Sequence, residues 1–277
     1  MGTSTSSGGG RSGSPFDPEW LSPDGLASGE SCSGNNSDSE QNGNVDPADN
    51  DESPGPENVQ APERRFGPAR SQMSSYLGNG SRSNLRNATK SMISKGMGGA
   101  SRAASTMRNA ASGAGALGQF LVAARESSDQ IVKDWVAHCR SANLSASDLI
   151  LEVLKVVYPD SGSIDEDSLQ DAGAEALAKL YEKYPGVDIF ALTDSQIAEV
   201  IGRTIAIQIC QRIDLLLGQT YEKLEHDPAL IQERRTDIRE WVWAEIRVVI
   251  EQNQSGQIDP NGLAESVLKS ALEVFAE

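Results

Sequence analysis

Gly2 is the residue of this 277-residue chain whose type and setting most favour chemistry. Gly2 is small enough that Met1 should be trimmed, which leaves an unhindered amine at the head of GTSTSSGGGRSGSPFDPEWL. Such a Gly/Ser/Thr run cannot bury enough apolar surface to order itself. A small nucleophilic amine on a mobile thread can instead enter another protein's pocket, with Thr3, Ser4 and Thr5 following it. Phe16, Trp20 and Leu21 are apolar residues in a solvated stretch, and exposed aromatics of this kind act as anchors in a partner's groove. Trp20 lies 18 residues from Gly2. That length spans at most about 60 Å, so an anchored Trp20 still lets the amine reach a deep pocket. No lysine precedes Lys90, so side-chain amines do not compete nearby. Residues 1–6 also fit the N-myristoylation pattern. One acyl chain anchors only marginally without a basic patch, and the tail that follows is acidic.

The other reactive side chains read as structural. His138 adjoins Cys139, but neighbours on a helix diverge by about 100° and face different ways. An interior cysteine beside a surface-edge histidine is the better reading, and Cys210 falls within a stripe of isoleucines. Cys32, Cys139 and Cys210 are scattered without a C-x-x-C pair, so neither a disulfide framework nor a zinc site is expected. Asp165, Glu166 and Asp167 fall in the first turn of an expected helix, where negative charge complements the dipole. There is no P-loop, G-x-G-x-x-G, H-E-x-x-H or G-x-S-x-G motif. The residues thus predict a protein that is not an enzyme and holds neither cofactor nor metal.

Charge divides the chain into three blocks. Residues 1–63 carry a balance of −11, residues 64–112 carry +9 without a single acid, and residues 113–277 carry −14. The first block has the composition of a disordered tail, with like-charge repulsion added. As a flexible coil it has an end-to-end distance of roughly 40–50 Å. The second is Gly/Ala/Ser-rich and basic, and it has two readings. Arg64, Arg65, Arg70, Arg102 and Arg108, with Phe66 and Tyr76, could bind nucleic acid, phosphates supplying affinity and aromatics stacking. Alternatively the segment is a positive strap for an acidic surface of this chain or of a partner, which the few aromatics and the lack of an RNA-binding signature favour. The most apolar stretch, residues 197–217, is interrupted by Glu199, Arg203, Arg212 and Asp214 and cannot span a bilayer. With no secretory signal, a soluble, cytoplasmic protein is expected.

The elements that must carry these groups are helical. Leu85, Thr89, Met92 and Ile93 predict a short helix after the cap Asn84, ended by Gly96, and Ala-rich residues 100–111 a second. From Leu117 the apolar period of three and four runs on to about Cys139. Capping boxes at Ser145, Ser163 and Thr193, and the Asp227-Pro228 and Asp259-Pro260 pairs, open five further helices. These are residues 149–157, 168–184, 197–224, 229–252 and 263–275. Two apolar stripes, Ile197 to Leu216 and Ile238 to Ile250, supply the core, each buried side chain contributing roughly 1.5–3 kcal/mol. The fold class expected is all-α, a C-terminal multi-helix bundle over 113–277 behind a long tail.

Together, MGTSTSSGGGRSGSP with EWL, RRFGPAR followed by YLGNGS, GMGGASRAASTMR, GSIDEDSLQDAGAEALAKL and DIFALTDSQIAEVIGRTIAIQI resemble the QatB component of the bacterial four-gene Qat anti-phage systems. The resemblance implies a non-enzymatic partner of QatC, a QueC-like enzyme, working with the QatA ATPase and the QatD TatD-like nuclease. QueC-like enzymes activate a 7-deazaguanine acid with ATP, and related defence enzymes are linked to conjugating it to an N-terminal glycine. Carried to this chain, Gly2 is the modified residue and Thr3 to Ser14 the thread into the QatC pocket.

Overall fold

In a computed structural model, residues 64–126, 129–159, 164–223, 227–253 and 258–277 are described. They contain helices and turns but no strand, so the all-α expectation holds. The chain is α1 (Gly67–Asn79), α2 (Arg82–Ser91), α3 (Ala100–Thr106), α4 (Arg108–Glu126), α5 (Gln130–Ala142), α6 (Ala146–Val157), α7 (Ile164–Lys183), α8 (Asp194–Leu217), α9 (Gln219–Lys223), α10 (Pro228–Asn253) and α11 (Pro260–Ala276). A π-helical turn, Met92–Gly96, extends α2, and a 3₁₀ turn, Ile189–Ala191, precedes α8.

The caps do what their chemistry dictates. The Ser145 hydroxyl accepts from the Asp148 amide at 3.2 Å. Thr193 and Gln196 complete a reciprocal box in front of α8. The Asp227 carboxylate accepts from the Ala229 amide at 3.0 Å, satisfying one orphan donor of α10. Ahead of α11, by contrast, the Asp259 side chain makes no capping bond, and Pro260 simply lacks the donor. Ser163 lies outside the described residues.

Arg64–Glu277 form one compact unit. The boundary expected between residues 112 and 113 therefore falls inside α4, and the basic segment shares the core through Met73, Leu77, Leu85, Ile93 and Met107. The helix α1, which no expected element covered, opens at Gly67-Pro68 and buries Ala69, Met73, Tyr76 and Leu77 on one face. Two expected continuous helices are also broken. The period from Leu117 to Cys139 is split between α4 and α5, with Asp129 capping α5 by accepting from Ile131 N. The helix expected to reach residue 224 stops at Leu217 and restarts as α9.

Glycine and alanine make α4 the middle of the unit. Ala110, Ala111, Gly113, Ala114, Gly115 and Gly118 are buried, and α11, α8 and α7 pack around them. A Cβ added at Gly118 would stand 2.6 Å from Ile201 Cδ1 and 2.9 Å from Pro260 Cβ, so α4 meets α8 and α11 with its backbone. Further out, Trp135 of α5 sits edge-on between Phe120 (5.1 Å) and Phe190 (5.8 Å). The Arg140–Asp188 pair, 2.9 Å apart, adds a second tether for α5.

One buried charge joins α7 to α8. Glu199, 9% exposed, accepts from Lys183 Nζ at 2.8 Å and from Arg203 Nε and Nη2 at 3.1 and 2.9 Å. Arg203 in turn lies 4.1 Å over the Trp243 ring of α10. Burial pushes the Glu199 carboxyl up, but the Lys183 and Arg203 hydrogen bonds and charges outweigh it and hold the group below its ordinary value.

Two outcomes follow. Gly118→Val forces α4 away from Ile201 and Pro260 and lowers stability by about 1–3 kcal/mol, read from the urea midpoint at constant slope. Because the folded Glu199 carboxyl is depressed, its contribution is complete above the unfolded pKa and is lost as pH falls through the folded value. Glu199→Gln therefore lowers the midpoint at pH 7, and the difference from wild type shrinks as pH falls below about 4.3, the ordinary glutamate value.

Candidate functional site

Gly2, Thr3, Ser4, Thr5, Phe16, Trp20 and Leu21 lie outside the described residues. The basic residues can be placed. Arg64, Arg102 and Arg108 are exposed. Arg70 is half-buried and donates from Nε and Nη2 to the Leu216 carbonyl oxygen, at 3.4 and 3.3 Å. That carbonyl belongs to the last turn of α8, where orphan acceptors and the dipole favour a cation. Arg70 thus fastens α1 to the end of α8. Arg65 lies 4.9 Å over the Phe66 ring.

The two aromatics of this segment are taken up by packing. The Phe66 ring covers Gly96, where a Cβ would overlap it. Tyr76 is buried, its hydroxyl donates to the Arg234 carbonyl oxygen at 3.3 Å, and burial with the nearby Asp237 pushes its pKa up to about 12. The Tyr76 ring is therefore closed to a base, while Phe66 is half-buried. Arg64 and Arg65 precede α1, Arg70 lies within it, Arg102 belongs to α3 and Arg108 opens α4.

The two described cysteines, Cys139 and Cys210, are both buried. Cys139 is buried while His138 is exposed, and burial, with Glu152, raises the Cys139 thiol. Burial pushes Cys210 up to about 12. A reactive cysteine needs the opposite setting, an electropositive and partly open one. Glu166 and Asp167 occupy the first turn of α7. Among the described residues no group of three His, Cys, Asp or Glu is placed to hold a metal. No helix among them is long and apolar enough to cross a membrane.

A concavity that the sequence did not signal lies between α2, α10 and the end of α11. Its volume is about 410 Å³, with Arg86, Asn87 and Lys90 on the α2 side and Trp241, Glu245 and Phe275 across from them. The Trp241 and Phe275 rings lie 5.0 Å apart, tilted by 58°. The Trp241 indole donates to Glu245 Oε1 at 2.9 Å, and Arg86 Nη2 stands 3.6 Å from the same oxygen. Lys90 Nζ donates to the main-chain oxygen of Glu277. The α2 side is far in sequence from α10 and α11, so only the packing of the bundle brings these groups together.

A family described as "Qat anti-phage system associated protein QatB" matches residues 98–275, which take in α3 through α11. No curated protein and no solved structure matches. The family match covers nearly two thirds of the chain and agrees with the motifs read from its sequence, so the chain belongs to the QatB family and has its place in the Qat anti-phage defence system.

Proposed function

We propose that this chain is a non-catalytic component of the defence system whose N-terminal glycine is the substrate of the QueC-like enzyme QatC. The observation that carries the reading is the setting of the Gly2 amine. It heads a thread of Gly, Ser and Thr, and no lysine occurs before Lys90. Lys90 itself is engaged on α2 by Glu277. An amide-forming enzyme offered this chain meets one small, unhindered amine on a long arm. The QatA ATPase and the TatD-like nuclease QatD are the further partners of the same reading, and the cytoplasm is where they would meet.

The chemistry is a group transfer. The enzyme activates the carboxylate of a 7-deazaguanine acid with ATP, giving an acyl-adenylate and pyrophosphate. The neutral Gly2 amine attacks the acyl carbon, a C–N bond forms, the C–O bond to AMP breaks, and the amine loses a proton. An N-terminal amine has a pKa of about 7.7–8.0, so the attacking fraction rises with pH through that range. Glycine is suited because it places no Cβ beside the attacking nitrogen. Phe16, Trp20 and Leu21 are the anchors that hold the arm on the enzyme while Thr3, Ser4 and Thr5 enter its pocket.

Nucleic-acid binding through residues 64–112 is the competing reading. Tyr76 is buried, Phe66 is half-buried against Gly96, and Arg70 is committed to Leu216. A plaque assay in cells carrying the whole system separates the two. Gly2→Pro, or residues added ahead of Gly2, abolishes protection while the purified protein keeps its melting temperature. Combined Arg64→Gln, Arg102→Gln and Arg108→Gln leaves protection intact. Protection that survives Gly2→Pro and is lost with the arginines would replace this reading with the other.

A further inference from the structure

Two glycines between α2 and α3 have no part in the packing of α4 or in the chemistry of Gly2. Gly98 and Gly99 follow the π-helical turn and lead into α3, with φ of +82° and +99°. Gly99, with ψ of 165°, lies in a region that glycine almost alone adopts. A Cβ there would meet open space, so it is the backbone conformation, and not crowding, that calls for glycine. A pair of such residues between two helices can absorb the large change of φ and ψ that a hinge requires.

Ahead of the pair stands a helical hairpin, α1 and α2, whose helices pack chiefly on one another and meet the rest of the unit along α8 to α11. Single side chains make its polar attachments. Arg70 donates to the Leu216 carbonyl oxygen, the Tyr76 hydroxyl to that of Arg234 and the Lys90 ammonium to that of Glu277, while Arg86 stands 3.6 Å from Glu245. Of these four, Arg70 is the firmest, because a half-buried cation spends two donors on the C-terminal turn of a helix. The helices are short, 13 and 10 residues. Isolated helices below about 12–15 residues are marginal in water, and the Gly, Pro and Ser of α1 weaken it further. Docking on the body is what keeps the pair ordered.

We propose that α1 and α2 form a hinged strap, latched by Arg70, that comes off the body as one unit about Gly98-Gly99. The body keeps its fold meanwhile, because α4 rests on Leu169, Asn261, Ile201 and Pro260, none of which belongs to the strap. Such a sub-global opening lies below global unfolding in free energy. Release uncovers Trp241 and Phe275, which line the cavity beside α2. The strap is independent of the Gly2 reaction and stands if that reaction fails.

The test is amide hydrogen exchange of the full chain, read peptide by peptide in a mass spectrometer. In the wild type the amides of α1 and α2 exchange at least about tenfold faster than those of α4. Arg70→Met keeps the aliphatic stem, removes the latch and speeds α1 and α2 on the order of tenfold. Gly99→Ala puts a Cβ on the hinge and speeds them by a similar factor. Gly186→Ala is the control, since Gly186 also has a positive φ, +82°, and open space, but lies in the turn after α7. That turn is equally folded with the strap on or off, so this variant speeds α4 on the order of tenfold and leaves α1 and α2 unchanged. Equal protection of α1, α2 and α4 in the wild type would overturn the proposal. So would an equal acceleration of all three by Gly186→Ala, or exchange in α1 and α2 that ignores Arg70→Met or Gly99→Ala.

Discussion

The close approach of α4 to its neighbours is the constraint on which the helical unit depends. Each glycine in a helix interior costs roughly 0.5–1 kcal/mol relative to alanine. Gly113, Gly115 and Gly118 therefore make α4 a poor helix by itself. What holds it is that backbone meets side chain directly: Gly113 against Leu169, Gly115 against Asn261, Gly118 against Ile201 and Pro260. Dispersion contacts gathered at such short range offset the propensity lost. The arrangement works only with α7, α8 and α11 all in place, so the centre of the fold is formed by tertiary packing and not by local preference.

The N-terminal helices are built onto that centre by polar ties to helix ends. Arg70 reaches the last turn of α8 and Tyr76 reaches the Arg234 carbonyl of α10. Beneath them Met73, Leu77 and Leu85 join the common core. The basic segment is thus an integral part of the domain, and its arginines divide into those that hold it together and those that face solvent. Arg82 and Arg86 on the outer face of α2 are of the second kind. Ile131, 79% exposed, belongs to α5, a helix tethered through Trp135 and the Arg140–Asp188 pair.

What could be read in advance follows from how local the physics is. Ser145, Thr193 and Asp227 announced their helices because a cap is decided within four residues. The breaks at Asp129 and Gly218 were hidden because the apolar period continues across them, and only packing decides where a long helix bends away. In residues 108–118 Ala and Gly give little contrast between faces, yet Ala110, Ala111, Gly113, Ala114, Gly115, Leu117 and Gly118 are buried. The helix α1 was covered by no expected element, although Ala69, Met73, Tyr76 and Leu77 have helical spacing. The cavity joining Arg86 to Glu245 had no sequence signal at all, its two sides lying more than 150 residues apart. Gly2 is the reverse case: the proposal made for it rests on neighbours in sequence alone.

Membership of the QatB family places the chain in anti-phage defence. The account's central claim is that the amine of Gly2 is the group acted upon, by a catalyst this chain does not contain. Intact mass spectrometry of the full chain, purified from cells with and without the QueC-like enzyme, tests it most directly. The account predicts a mass increment equal to one 7-deazaguanine acyl group, present only with the enzyme and confined to the N-terminal peptide. A chain of unmodified mass in both preparations would contradict it.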